Sequence, residues 1–163
     1  MLLTMTRTGG RSRPEPGQRR PTQSLHREAA LGIARTADLL GRVLGRVIEP
    51  HGISKQQFNV LRILRGARPD RLPTLTIAER MVEQTPGITG LLDRLEDKGL
   101  VQRERCPSDR RQVLCEITPR GLALLERLEE PFARTEREIM AALSEDELRA
   151  LIRALAAIRE NQS

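Results

Sequence analysis

The side chains best suited to chemistry lie in one short stretch, RERCPSDRRQVLCEIT, which spans residues 103–118. It contains both cysteines of the chain, Cys106 and Cys115, nine positions apart. Between them stand one acidic and two basic residues: Asp109, Arg110 and Arg111. Thiolates bind metal ions or form disulfides, whereas arginine forks recognise carboxylates, phosphates and guanine. The stretch is therefore a candidate metal site, redox switch or anion-binding finger, and the elements around it must decide.

A redox switch depends on the register of the two strands that this stretch forms. If the turn is centred on Arg110 and Arg111, Cys106 faces Cys115 across the hairpin. A non-hydrogen-bonded cross-strand pair has its Cα atoms about 4.5 Å apart, near the short limit for a disulfide. Pro107 argues against this pairing because it lengthens the turn and breaks the register. The two thiols remain a candidate redox pair, and the alternative is that each is a small apolar residue.

Metal binding and catalysis have weaker support. A structural zinc site needs about four ligands at suitable spacing, and besides the cysteines the chain offers His26 and His51, far apart in sequence. The sequence contains no nucleophile elbow and no phosphate-binding glycine loop. We therefore predict no catalytic residues, no metal site and no cofactor, in a protein that is not an enzyme.

The positive charge of the chain is unevenly distributed. The formal net charge is +6, from 28 basic and 22 acidic residues. Residues 1–27 hold six arginines and one glutamate (6 − 1 = +5), which leaves 22 bases and 21 acids in the other 136 residues. Residues 1–23 are rich in Pro, Gly and Arg, and we predict a disordered basic tail there. This tail is either an arm that follows DNA phosphates or a solvated end.

Composition favours a helical protein of the cytoplasm. The chain has two phenylalanines and no tyrosine or tryptophan, so aliphatic side chains must fill the core, which suits helices. No stretch approaches the ~18 consecutive apolar residues of a membrane span. Two cysteines do not make a disulfide framework, and we expect a reducing compartment.

Apolar periodicity and capping signals predict helices in the first half of the chain. A long helix is expected over residues 24–49, where apolar side chains recur at three- and four-residue spacing. Ser54 with Gln57 forms a capping box that begins a second helix. The segment RGARPDRLPT is predicted to be a loop. Thr76 with Glu79 is expected to cap a short third helix.

The second half of the chain is predicted to contain one hairpin between helices. The helix over residues 86–98 has Thr85 as its cap. The following stretch alternates like two short strands around a Pro-Ser-Asp-Arg-Arg turn. Thr118 begins a long helix that bends at Pro131, and a capping box at Ser144 begins the last helix.

The expected fold is mainly α with a small β-hairpin wing (an α+β class), in which a winged helix-turn-helix is flanked by dimerisation helices. Residues 51–118 would form the winged helix-turn-helix DNA-binding domain. The N-terminal dimerisation helix would comprise residues 24–50, and the C-terminal dimerisation helices residues 119–163. The outer helices carry more apolar surface than a small central unit can cover, so we expect a homodimer.

The helix over residues 86–98 is a candidate DNA-recognition helix. Its apolar side faces inward, and the N-terminal end of its other side is small and uncharged, so a partner can approach its backbone closely. Free N–H groups of a first helical turn favour phosphate, and Thr89 can bond a base edge or contact a thymine methyl. The candidate DNA-binding residues of this segment are Thr85, Pro86, Gly87, Thr89, Gly90 and Arg94. The alternative is an ordinary amphipathic helix.

The hairpin is a candidate minor-groove contact. Residues 103–111 contain four arginines and two acids, a charge of +2. An arginine at a hairpin tip fits the negative potential of a narrow minor groove, and Asp109 could hold an arginine side chain by charge-assisted bonds. The candidate DNA-binding residues here are Arg105, Asp109, Arg110 and Arg111. The alternative is a solvated loop whose charges pair locally.

A longer segment, TPGITGLLDRLEDKGLVQRERCPSDRRQVLCEITPRGLALLERL, resembles the MarR-type winged helix-turn-helix regulators. The recurring elements, in order, are a helix of the form T…LLDRLEDKGLV, an Asp-x-Arg in the wing and ITPRG at the start of the next helix. The segment ISKQQFNVLRIL also resembles the helix that precedes the family's recognition unit. The likeness runs over about residues 40–160.

This resemblance implies a dimeric, DNA-binding repressor or activator. The helix over residues 86–98 would lie in the major groove, Asp109 and Arg111 would act at the minor groove, and Arg110 would lie near a phosphate. In the family, a ligand binds in a crevice between the wing domain and the dimer helices. Here the first long helix and the helix containing Phe58 would line that crevice.

One departure from the family affects base readout. Gly90 lies where many members carry a longer polar or basic residue. Specificity would then rest on Thr89, Arg94 and DNA shape.

We therefore expect a cytoplasmic, sequence-specific double-stranded DNA-binding transcriptional regulator. It would act as a homodimer and ligand-responsive repressor on a pseudo-palindromic operator, with a small-molecule effector and no membrane partner. Two alternatives stay open: a redox-sensing regulator that uses Cys106 and Cys115, and a winged-helix protein-interaction module without DNA binding.

Overall fold

The computed structural model describes residues 24–82, 87–109 and 111–161, so the predicted basic tail lies outside the described residues. The elements follow in the order α1 (Leu25–Ile48), a 3-10 turn (Glu49–His51), α2 (Lys55–Ala67), β1 (Leu72–Pro73), α3 (Thr74–Arg80), α4 (Ile88–Asp97), β2 (Val101–Arg105), β3 (Val113–Ile117), α5 (Pro119–Met140) and α6 (Glu145–Glu160). The chain divides into two units after Arg35, and the core lies in the second. The predicted fold class, mainly α with a small winged sheet, is confirmed. Within the described ranges, no helix is both long and apolar enough to cross a membrane.

Local capping chemistry sets the starts of three helices, as predicted. The Ser54 hydroxyl accepts a hydrogen bond from the backbone N–H of Gln57 at 3.2 Å, and the Gln57 amide oxygen accepts one in return from Ser54 at 3.0 Å. Ser144 forms the same reciprocal box at the start of α6. The Thr118 hydroxyl accepts from the N–H of Gly121 at 3.1 Å at the start of α5. Each cap satisfies a backbone donor that the helix leaves unpaired.

The region between α2 and α4 differs from the sequence-based prediction in two ways. The loop prediction over RGARPDRLPT missed β1, whose Leu72 pairs with Cys115 of β3. The prediction that Thr76 caps α3 was wrong, because the helix begins at Thr74 and its N-cap, Pro73, makes no side-chain cap hydrogen bond. Leu72 is only 8% exposed, so its burial against β3 outweighs the turn signals of the two flanking prolines.

The sheet is antiparallel in the order β1-β3-β2, with β3 in the centre. Its register pairs Val101 with Ile117 and Arg105 with Val113. Cys115 and Ile117 point into the core from β3, and the buried stripe of α4 packs there too: Leu91, Leu92 and Leu95. The sheet and α4 therefore share one core, which fixes the position of the hairpin relative to α4.

Gly121, the glycine of the ITPRG segment, is required by a close approach. A Cβ placed on it would lie 2.7 Å from the Ile117 side chain and even nearer to the backbone oxygen of Leu100. No larger residue fits there without displacing the strand ends. Gly121 therefore lets α5 pack directly onto the base of the hairpin.

Candidate nucleic-acid interface

The N-terminal end of α4 presents a small, exposed surface. Gly87 has φ 100° and serves as the N-cap, a left-handed conformation that favours glycine. Gly87 and Thr89 are exposed, and no heavy atom of the described residues lies within 4 Å of a Cβ built on Gly90. Arg94 is exposed one turn after Gly90. A phosphate or a base edge can therefore approach this end of the helix closely.

The helix is shorter than predicted. It spans Ile88–Asp97 and not residues 86–98, because a residue with the φ of Gly87 cannot lie inside an α-helix. Thr85 and Pro86, predicted as cap and first helical residue, lie outside the described residues. The predicted DNA-contacting residues Gly87, Thr89, Gly90 and Arg94 are brought together on or beside one helix.

The tip of the wing, the turn over residues 106–112, is organised by Asp109. Its carboxylate accepts hydrogen bonds from the backbone N–H of Arg111 at 3.0 Å and from the Gln112 side-chain amide at 3.2 Å. The Gln112 N–H donates to the backbone oxygen of Asp109 at 2.9 Å. Among the described residues, Asp109 binds no arginine side chain. Arg110 lies outside the described residues, so a contact between Asp109 and Arg110 stays a prediction.

Two exposed arginines of the wing, Arg105 and Arg111, form no ion pair with any described residue. Arg103, counted with them in the sequence, faces α4 and is only 22% exposed. Glu104, counted against them, pairs with Arg71. The wing charge available to a partner is therefore concentrated at and near its tip.

Arg103 joins β2 to α4 through what we call the Arg103 clamp, comprising Arg103, Asp93 and Glu96. The Arg103 backbone N–H and side-chain Nε donate to the two carboxylate oxygens of Glu96 at 3.1 and 2.8 Å. Its Nη2 lies 2.7 Å from Asp93 Oδ1. The hydrogen bond to Glu96 is the main cause of a raised pKa of Arg103, which burial opposes. The sequence analysis did not predict that Arg103 binds α4. The available signal was the opposite charge of Arg103 and the two acidic residues on either side of the chain reversal at Gly99.

A second arginine, Arg71, contacts both strands of the wing. Arg71, in the segment predicted to be a loop, pairs with Glu104 of β2 and lies 3.0 Å from the Glu116 carboxylate of β3. Side-chain hydrogen bonds to both glutamates raise the pKa of Arg71. Arg71 was not predicted as a wing residue because β1, which positions it, was missed.

The cysteines do not face each other. Cys115 is paired with Arg103, and the Cys106 N–H donates to the oxygen of Gln112 at 2.9 Å. Cys106 is thus offset from Cys115 by three residues along the ladder, about 10 Å at the usual strand rise, beyond the ~7 Å limit for a disulfide. The candidate pairing of Cys106 with Cys115 is therefore not formed, because the turn is longer than two residues, as Pro107 had suggested.

The two thiols also differ in acidity. Cys115 is fully buried, and this burial raises its pKa. The Cys106 pKa is lowered, first by the Ser108 hydroxyl, whose oxygen lies 3.1 Å from the sulfur, and then by nearby backbone N–H groups. Among the described residues, no group of three or more His, Cys, Asp or Glu side chains is arranged to hold a metal ion.

A crevice of about 510 Å³ opens between the C-terminal half of α1 and α2. Its apolar wall includes Leu40, Leu44 and Phe58, and Phe132 of α5 also lines it. The Phe58 and Phe132 ring centroids are 4.9 Å apart, and the Arg62 guanidinium carbon lies 5.9 Å from each. The crevice lies between the two helices that the family resemblance had indicated.

Several known proteins are similar to this chain in sequence and in structure. Residues 53–113 match the MarR family model. The transcriptional regulator PecS of Dickeya dadantii is 34% identical over 125 residues, covering 74% of this chain and 75% of PecS. The crystal structure of a MarR transcription factor from Planctomyces limnophilus is 40% identical, with a TM-score of 0.65 over 84% of this chain and 99% of that chain. A mutant MarR from E. coli, complexed with operator DNA, is 28% identical, with a TM-score of 0.71 over 83% and 99%.

The winged helix-turn-helix, the wing sequence and these similarities agree, and none of them points to an enzyme. The chain belongs to the MarR family of transcriptional regulators.

Proposed function

We propose that this protein binds a pseudo-palindromic DNA operator as a homodimer and represses transcription until a small molecule releases it. The observation that carries the proposal is the exposed N-terminal end of α4, a helix that Arg103 ties to the wing, together with exposed wing arginines, Arg105 and Arg111, that have no ion-pair partner among the described residues. In this arrangement Thr89 and Arg94 contact base edges or phosphates in the major groove. Arg111 enters the adjacent minor groove, and Arg110 lies near a phosphate. The complex of E. coli MarR with operator DNA supports this reading.

Dimerisation is supported by apolar surface on the outer helices. Helix α6 contains no buried residue, and its Leu151, Ile152 and Ile158 are 38%, 64% and 53% exposed. Such a stripe needs a partner. We propose that residues 24–50 and 119–163 supply the dimer helices, while residues 51–118 bind DNA. Two recognition helices then meet half-sites about one helical turn apart.

Regulation is assigned to the crevice lined by α1, α2 and Phe132. Its wall is mainly apolar and aromatic, and Arg62 stands over both phenylalanine rings. This chemistry suits an apolar or aromatic molecule that carries a negative charge. A bound ligand changes the separation of the two DNA-binding heads because α1 belongs to the dimer and α2 to the head.

A mobility-shift titration tests DNA binding, with duplexes that tile the DNA flanking the protein's own gene and a shuffled duplex as control. We expect one tile to bind at least about a thousandfold more tightly than the shuffled duplex. Equal affinity for all tiles, including the shuffled one, would leave a winged-helix interaction module as the better account.

Ligand binding is tested by the melting temperature in a panel of aromatic carboxylates, since a ligand of the native state stabilises it by mass action. Arg62→Gln should abolish the increase that an active compound causes. An equal increase in the variant would exclude Arg62 from the effector site.

A further inference from the structure

We propose that Arg103 is a positioning residue for DNA recognition: it holds the wing at a fixed angle to α4, so that both elements meet adjacent grooves at the same time. The inference rests on the proposed DNA binding, and it assigns to Arg103 a role that involves no contact with DNA.

The contacts of the Arg103 clamp tie one strand to two carboxylates about one turn apart in the helix. Asp93 and Glu96 are three residues apart in α4 and therefore share one face. Arg103 lies in the middle of β2 and uses its backbone N–H, Nε and Nη2 on these two carboxylates. A planar guanidinium that binds at several points fixes orientation as well as distance, which a single ammonium group does not.

The surroundings of the clamp strengthen it relative to a surface ion pair. The side chains of Arg103 and Glu96 are 22% and 38% exposed, so water screens them less than it screens a fully exposed pair. The strand that Arg103 anchors leads directly to the tip. Arg105 lies two residues further along the strand, on the same face as Arg103, and residues 106–112 follow.

A wing fixed only at its base would leave Arg111 at the tip free to sample many orientations. A small tilt at Arg103 is magnified at the tip, because each residue of a strand adds about 3.3 Å. The clamp limits this tilt on the α4 side, and Arg71 braces Glu104 and Glu116 of the same sheet. Specific binding then loses less conformational entropy when the wing enters the minor groove.

The acidic members of the clamp distinguish positioning from direct contact. If Glu96 acted only through its charge, its removal would tighten binding to polyanionic DNA. If Glu96 holds Arg103, its removal weakens specific binding despite the loss of a repulsive charge. Asp97 is the matched control, since it is an exposed acid on the same helix and forms no ion pair with any described residue.

The experiment compares Glu96→Gln, Asp97→Asn and the wild-type protein on the operator duplex and on a shuffled duplex over a range of salt concentrations. For Glu96→Gln we expect operator affinity to fall about three- to tenfold, with shuffled-duplex affinity unchanged or higher and the salt slope unchanged. Asp97→Asn should bind both duplexes as tightly as the wild type, or more tightly. Tighter operator binding by both variants would overturn the positioning role.

A double variant separates positioning from a phosphate contact by Arg103. Because the clamp acts as one unit, Arg103→Gln combined with Glu96→Gln should bind the operator about as well as Arg103→Gln alone. Additive losses, together with a salt slope reduced by about one charge in Arg103→Gln, would show that Arg103 contacts DNA and would overturn the proposal.

Hydrogen exchange of the wing amides tests the clamp without DNA. Exchange over residues 102–112 should be faster in Glu96→Gln than in Asp97→Asn, at equal melting temperature. Unchanged exchange would overturn the clamp, whether or not the wild type binds its operator. If the wild type bound no duplex specifically, the proposed function would fail. Faster exchange in Glu96→Gln would still show that the clamp with Arg103 controls the orientation of the wing.

Discussion

The Asp109 carboxylate accepts a hydrogen bond from the backbone N–H of Arg111 at 3.0 Å. This bond shapes the tip of the wing from the main chain and leaves the Arg111 guanidinium exposed. Asp109 and Arg111 therefore have different roles, one in the turn and the other at its surface. The two residues of the wing motif are linked through the backbone, without an ion pair between their side chains.

Arg111→Ala should weaken operator binding by about 1–3 kcal/mol if the guanidinium contacts a base edge, and by less if it contacts phosphate alone. Fluorescence anisotropy on operator and shuffled duplexes measures this loss. Arg134→Ala is the control, because it removes an exposed arginine from α5. If both variants lost the same affinity, the loss would reflect total charge and not a contact by the wing.

Gly90→Ala should stabilise the free protein by about 0.5–1 kcal/mol, since alanine is the better residue inside a helix and no atom of the part of the chain that the structure describes obstructs its Cβ. The same methyl group should weaken operator binding, because α4 would no longer approach DNA as closely. Urea unfolding and anisotropy measure the two effects. Gly66→Ala is the control, because Gly66 is also an unobstructed helical site among the described residues; it should stabilise the protein without changing its affinity for DNA. Equal operator affinities of the two variants would place Gly90 outside the interface.

Gly121→Ala should destabilise the fold by about 1–3 kcal/mol through overpacking. The added carbon would press on the Leu100 carbonyl and the Ile117 side chain, where α5 meets the hairpin. Urea denaturation is the measurement. A variant as stable as the wild type would mean that α5 is not packed closely onto the strand ends.

Ile152→Arg should separate the proposed dimer, because it places a charge in the exposed apolar stripe of α6. Sedimentation velocity should show a monomer, and operator affinity should fall steeply. Leu75→Arg places the same charge at an exposed leucine of α3, which is 75% exposed, and should leave the dimer intact. A dimeric Ile152→Arg protein would exclude the centre of α6 from the interface.

The thiols should react at very different rates. A lowered pKa increases the thiolate fraction of Cys106 near neutral pH, whereas the raised pKa of buried Cys115 keeps it protonated. Pulsed alkylation followed by mass spectrometry should therefore label Cys106 first, and its rate should level off at lower pH than for an ordinary thiol. A Cys106–Cys115 disulfide after mild peroxide would contradict the strand register.

The features predictable from the sequence were those set by local interactions. Ser54, Ser144 and Thr118 were identified as caps because each binds a group only three residues away. The two-residue strand at Leu72 is too short for apolar periodicity to reveal it. The predicted cap at Thr85 placed the helix start two residues before Gly87, the N-cap in the structure. The Arg103 clamp depends on how β2 lies against α4, so the sequence showed the charges without showing which arginine faces α4.

The most direct test of the account is a footprint of the wild-type protein on the DNA that flanks its own gene. We expect two protected half-sites related by a pseudo-two-fold axis, with centres about one helical turn apart, and loss of this protection at high salt. Uniform or absent protection at low salt, with a folded and dimeric protein, would contradict the claim that α4 and the wing read an operator.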